Sequence, residues 1–191
     1  MNYYQEISLL PHADIGIYFL WPKIYMQIHL ALVENKQGDN SSHIGVAFPE
    51  YNADKYCLGG TLRLFAKDQQ DLHQMQVSKW LSRLHDYLQL SEIQAVPETD
   101  DYACFKHIKL KGSKEKLARR RAKRTGETLD QSLAYFEGYK DPLSKLPYIY
   151  MRSETTRHSF HLFIEKEIMQ QPQTGLYSCY GLSQTSTVPL F

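Results

Sequence analysis

A neutral imidazole is the side chain best suited to take a proton from a poor nucleophile near pH 7, and this chain holds eight histidines. His12, His43, His73 and His85 fall among expected turns or polar faces, where a solvated ring is the ordinary reading. His158 and His161 form an HxxH. Their segment alternates as a strand, which sends the two rings to opposite faces and suits no shared metal. His29 lies near the end of an amphipathic segment, beside Tyr25 and Val33 on the helical net. Spacing alone leaves open whether it is catalytic or a histidine at the edge of the core. Glu98, Asp100 and Asp101 offer carboxylates, but no DxD or DxE partner follows at a strand end, and an interdomain turn accounts for them. Cys57, Cys104 and Cys179 are odd in number, far apart and without a CxxC pair. Neither a disulfide framework nor a thiolate zinc site is expected, and a reducing cytoplasm fits.

A second chemistry is written in charge. Between Lys106 and Arg124 ten Lys or Arg stand against one acid, Glu115, so 19 residues carry a formal +9 in a chain whose total is +1. The other 172 residues sum to −8. Such segregation suggests a surface that meets a polyanion, nucleic acid first, while the rest repels one. Ser113 suits an N-cap, Glu115 the positive end of a helix dipole and Gly126 a C′ position. Within that frame Lys116, Arg119, Arg120, Lys123 and Arg124 recur at the spacing an ordinary helix gives its apolar stripe. Leu117, Ala118 and Ala122 leave a small face for docking. A merely solvated helix interleaves signs, and this one has almost no acids.

The elements that must position these groups follow from periodicity. The spacing predicts a strand at Tyr3 to Leu10, a helix at Ile15 to Glu34 that Pro22 interrupts or starts, and strands at His43 to Phe48 and Thr61 to Phe65. A second amphipathic helix is expected over Asp68 to Leu88, with Leu72, Met75, Trp80, Leu84 and Tyr87 as core, then a short strand at Ile93 to Val96. That βαββαβ order is the ferredoxin-like unit shared by RNA-recognition sheets. The acidic, strand-breaking run 97–101 marks an expected boundary, giving an N-terminal domain at 1–97 and a C-terminal α+β domain at 98–191 that bears the arginine-rich helix. In the second part the pattern predicts a strand at Tyr102 to Lys111, the basic helix, a helix at Leu129 to Tyr139, and strands at Tyr148 to Ser153 and Ser159 to Glu165. The longest apolar run, near Ile15 to Trp21, is too short to span a bilayer, so no membrane role is expected.

Together the segments QIHLALV around His29, HIGVAFPE at 43–50, KLARRRAKR, MRSETTRHSFHLFI and the terminal CYGLS followed by PLF resemble the CRISPR repeat-processing endoribonuclease of the type I-F system. The likeness runs from the first strand to the last residue. It implies cleavage of precursor CRISPR RNA at the 3′ foot of a repeat hairpin, with no metal or other cofactor. The RNA's own 2′-hydroxyl attacks, leaving a 2′,3′-cyclic phosphate and a 5′-hydroxyl. His29 matches the family's general base, Ser153 the serine that fixes the ribose hydroxyl, and Tyr180 the tyrosine that orients the histidine. Arg119, Arg120, Lys123 and Arg124 match positions that grip the stem's phosphates, and Lys116, on the same cationic stripe, is expected to bind RNA with them. Phe160 matches the aromatic that stacks at the foot of the stem, and Thr155 and Thr156 match a hydroxyl pair beside it. As partners the resemblance implies the repeat hairpin and the other subunits of the type I-F surveillance complex, with a monomer when free.

One departure matters. Where relatives read two stem bases with an arginine and a glutamine, this chain has His107 and Lys109, which offer single bonds rather than a bidentate guanidinium. Recognition is then expected to lean on stem shape and phosphate charge. The alternatives are a non-catalytic RNA-hairpin-binding subunit of the same fold, with an RNA-recognition-type module disfavoured because the strand reading TLRLF lacks the aromatic RNP1 pattern, and a DNA-binding accessory protein that sets the basic helix in a major groove.

Overall fold

In the computed structural model, which describes residues 1–11, 15–36, 38, 40–140 and 144–191, the chain is a mixed α+β protein of antiparallel sheets and five α-helices. His12 lies outside the described residues. Close contacts divide the chain into two units, 1–108 with 146–191 and 109–145.

The first unit opens with β1 (Tyr3–Leu9) and α1 (Ile17–Glu34). α1 buries Leu20, Trp21, Ile24, Tyr25, Ile28, Ala31 and Leu32, a stripe at helical spacing. It begins five residues before Pro22 and runs through it, giving up the amide bond to the Tyr18 carbonyl. Then come β2 (Ser41–Ser42), β3 (Gly45–Ala47) and β4 (Thr61–Ala66). The single helix expected over 68–88 is instead α2 (Gln69–Met75), α3 (Val77–Trp80) and a 3₁₀ turn (Ser82–Tyr87). Gln76, at φ 47°, breaks the first two apart, and apolar residues at 72, 75, 81, 84 and 87 still face inward because three-residue steps fit a 3₁₀ turn.

Two short strands close that half, β5 (Leu88–Leu90) and β6 (Gln94–Ala95), and both pair with β1. Between them Ser91 keeps the ladder whole, giving its amide to Glu6 O at 2.9 Å while its Oγ accepts from Glu6 N at 2.9 Å. The sheet order is β3-β4-β1-β5, every pair antiparallel.

A second sheet uses β7 (Tyr102–Ile108), β8 (Tyr148–Arg152), β9 (Ser159–Met169) and β11 (Val188–Pro189), in the order β11-β7-β9-β8. Between β9 and β11 the chain forms β10 (Tyr177–Ser178), which pairs with β2. The two larger sheets therefore fall on either side of residue 97, and this small pairing draws the C-terminal stretch back to the N-terminal half. Phe48 joins the layers: fully buried, it packs its ring against Trp21 (5.5 Å), Tyr25 (6.0 Å) and Phe105 of β7 (5.7 Å).

The second unit pairs α4 (Lys114–Thr125) with α5 (Leu129–Tyr135). α4 begins where the Ser113 side chain accepts from Lys116 N and ends at Gly126, φ +76°, whose amide bonds Ala122 O. α5 starts on a reciprocal capping box between Thr128 and Gln131. Ala118 and Ser132 are buried, and the Tyr139 hydroxyl donates to Gly112 O at 3.2 Å.

Candidate active site

His29 sits on the last third of α1, half-buried, one turn after the buried Tyr25. Its Nδ1 lies 2.8 Å from the carbonyl of Cys179. A carbonyl only accepts, so Nδ1 carries the hydrogen. Burial pushes the imidazole below its ordinary 6.5, with the Cys179 bond opposing in part, so the ring is neutral at pH 7. A neutral ring protonated on Nδ1 leaves Nε2 with its lone pair, which is the arrangement of a base.

The ring of Tyr180 lies flat on that imidazole, centroids 4.2 Å apart and planes 4° from parallel. Three contacts fix the turn carrying it. The Tyr25 hydroxyl donates to Tyr180 O at 2.7 Å, Val46 N donates to Gly181 O at 2.9 Å, and Gly181 N returns to Ser178 O at 2.7 Å. Gly181 takes φ +68°, and a Cβ there would meet Val46 Cγ1 at 2.4 Å, so no other residue fits. Gly45 likewise leaves no room, since a Cβ would stand 2.7 Å from the Tyr177 ring. Burial raises the Tyr180 phenol above its ordinary value, so it stays a hydrogen-bond donor.

Opposite these groups the chain leaves β8 in a tight turn. Ser153 N donates to His158 O at 2.9 Å, Arg157 N to Ser153 O at 2.8 Å, and Thr156 N to Ser153 Oγ at 3.2 Å. Arg157 absorbs the reversal at φ 58°. Because the serine oxygen accepts from Thr156, its own hydrogen remains to be donated. Phe160, half-buried on β9 beside Met151 of β8, sets its edge against Tyr180 at 6.4 Å.

His29, Ser153, Thr155, Phe160 and Tyr180 thus line a single cleft of about 430 Å³, with Thr156 in the turn at its rim. His107 reaches the same cluster from β7, its ring edge-on to Tyr180 at 6.1 Å. Among the described residues no three His, Cys, Asp or Glu side chains gather as a metal site. The cleft offers a base, a phenol and a hydroxyl, which is a set for moving a proton from one oxygen to another.

Lys109, Lys116, Arg119, Arg120, Lys123 and Arg124 belong to the 109–145 unit, and all six are exposed. Arg119 reaches back to Glu115 at 2.5 Å, an exposed i,i+4 pair. Arg121, inside the same run, has a different task. Its Nε and Nη2 each lie 2.9 Å from Glu127, holding that carboxyl below the usual carboxylate range, and its guanidinium covers the Tyr135 ring at 3.7 Å.

Several contributors escaped the sequence reading. The Cys179 carbonyl that sets the histidine's tautomer has no sequence signal, nor has the Val46 amide. Tyr25 does: it precedes His29 by four residues and shares its helix face. Arg152 is the cleft's missed cation, exposed, with no ion pair among the described residues.

The family model described as CRISPR-associated protein (Cas_Csy4) matches residues 4–191. Two relatives named CRISPR-associated endonuclease Cas6/Csy4, from Escherichia coli strain UTI89 and Pseudomonas aeruginosa strain UCBPP-PA14, are 31% and 30% identical, each alignment covering all of both chains. A solved structure titled "An RAMP protein binding different RNA substrates" aligns over 99% of this chain and 100% of its own, at 8% identity and a TM-score of 0.37.

Proposed function

This chain belongs to the family of CRISPR-associated proteins described as Cas_Csy4, and from that premise we propose that it is a metal-independent endoribonuclease that cuts precursor CRISPR RNA at the 3′ foot of a repeat hairpin. The observation that supports it most is the state of His29, neutral, protonated on Nδ1 and held flat under Tyr180 with Nε2 as the base. Nε2 takes the proton of the ribose 2′-hydroxyl. The oxygen attacks the neighbouring phosphorus, the bond to the 5′-oxygen of the next nucleotide breaks, and that oxygen takes up a proton from solvent while the imidazolium returns its own, so the ends are a 2′,3′-cyclic phosphate and a 5′-hydroxyl. Ser153 donates to the ribose or phosphate, and Tyr180 fixes the imidazole and the scissile nucleotide.

The finer parts of this reading belong with it. The order β3-β4-β1-β5 supports a ferredoxin-like N-terminal domain at 1–97, and the remainder, 98–191, is the hairpin-binding domain. Phe160 stacks under the last base pair, Thr155 and Thr156 flank the cleavage site, and His107 and Lys109 meet the stem's bases. Lys116, Arg119, Arg120, Lys123 and Arg124 grip its phosphates. The product stays bound, and the protein becomes the subunit that carries the guide's 3′ end in the surveillance complex.

The test is a repeat hairpin with one 2′-deoxy sugar at the scissile nucleotide, beside its all-ribose twin, both in EDTA. The expected result is that both bind, the ribose hairpin alone is cut, and its 5′ fragment ends in a cyclic phosphate. Cutting of the deoxy hairpin, or loss of cutting on chelation, overturns the mechanism. Binding of both with cutting of neither identifies a non-catalytic hairpin-binding subunit instead.

A further inference from the structure

A second groove, of about 660 Å³, opens between α1, the α3–3₁₀ segment and β8. Met26 and Arg152 line both it and the His29 cleft, so the two adjoin. Lys23, Lys79 and Arg83 join Arg152 along it, against one acid, Glu34. Lys79, Arg83 and Arg152 are exposed and carry no ion pair among the described residues. Two aromatic rings stand among these cations, the half-buried Trp80 and the exposed Tyr150. The charge is notable because the protein outside 106–124 is acidic on balance.

Cations spaced along a groove with aromatic side chains between them suit a single nucleic-acid strand, whose phosphates meet the charges while its bases stack. A duplex has its bases already stacked on one another and would leave the two rings unused. We propose that this groove holds the single-stranded RNA on the 3′ side of the scissile phosphate, the strand that cleavage releases. This rests on the reading of the His29 cleft as an RNA cleavage site. A phosphate in that cleft has the stem on one side and the departing strand on the other, and the groove adjoins the cleft at Met26 and Arg152. Contacts here exist in the precursor and vanish in the product, which separates them from the stem contacts that both share.

The experiment uses the full-length protein and two 2′-deoxy-blocked hairpins, one ending at the scissile nucleotide and one continuing into a short unpaired 3′ extension. The extension is expected to tighten wild-type binding by about tenfold, and the K79A/R83A double substitution should erase that gain while leaving the truncated hairpin's affinity unchanged. The salt slope of the extended RNA should fall by about 1.4, two single-strand phosphate contacts' worth. Normal affinity for the truncated hairpin also shows that the variant is folded. No gain from the extension in wild type overturns the proposal, as does equal weakening of both RNAs, which would assign the cations to the stem. Wild-type gain that survives K79A/R83A places the strand elsewhere and overturns it too. If wild type binds neither hairpin, the cleavage reading falls and the groove loses its premise.

Discussion

The Cys179 carbonyl decides which nitrogen of His29 is basic, and Tyr180 decides which way that nitrogen can point. In the proposed mechanism, removing the imidazole removes the base but little of the surface that holds the hairpin. His29→Ala should therefore lower single-turnover cleavage by about 10²-fold or more, with hairpin affinity unchanged in a filter-binding titration. The pH dependence has a sign. Because burial lowers the imidazole below 6.5, the free base dominates at neutrality, so the cleavage rate should climb with pH through a midpoint under 6.5 and level off by neutrality. Stability runs the same way. The unfolded chain binds the proton more tightly, so the contribution is complete above pH 6.5 and is lost as pH falls through the folded value. Thermal melts of wild type and His29→Ala should converge toward acid.

Two turns and one helix do the positioning at the scale of elements. The turn at Gly181 exists because its carbonyl takes Val46 N and its Cα stands where a Cβ would strike Val46 at 2.4 Å. Gly181→Ala should displace Tyr180 and cost cleavage well before it costs hairpin binding; equal activity would show that the stacked tyrosine is not needed. The basic helix divides its labour. Arg119→Ala with Arg120→Ala should weaken hairpin binding and reduce its salt slope by about 2, while leaving the melting temperature unchanged. Arg121→Ala should do the reverse, lowering the stability of the 109–145 unit through loss of Glu127 and Tyr135, with little effect on the slope. A scan that treats the arginine run as uniform would miss this.

For the whole molecule, stem contacts that are the same in substrate and product raise affinity without raising the chemical rate. Excess hairpin should therefore give a burst near one cut per protein and then almost stop, and quench-flow against a rapid product trap would expose any fast turnover. The amino-acid order was enough to place most elements and their limits. Ser113 and Gly126 bracket the basic helix because caps are local, and α1 follows from its apolar stripe. The 68–88 segment misled because apolar steps of three and four residues suit consecutive short helical turns as well as one helix, and nothing nearby announces the left-handed Gln76. Strands as short as β2, β10 and β11 carry no pattern of their own, since their partners lie far along the chain.

What the sequence by itself determined was the family, the cationic helix and the identities of His29, Ser153, Phe160 and Tyr180 as residues worth watching, because motif, charge and capping are read over a few neighbouring positions. Only the tertiary structure decided that these four share a cleft, that His29 is protonated on Nδ1, and that Arg152 lines both that cleft and a second groove. The reason is physical: a proton's place and a pocket's wall depend on backbone carbonyls and side chains brought together from positions as much as 155 residues apart, and no local spacing encodes them.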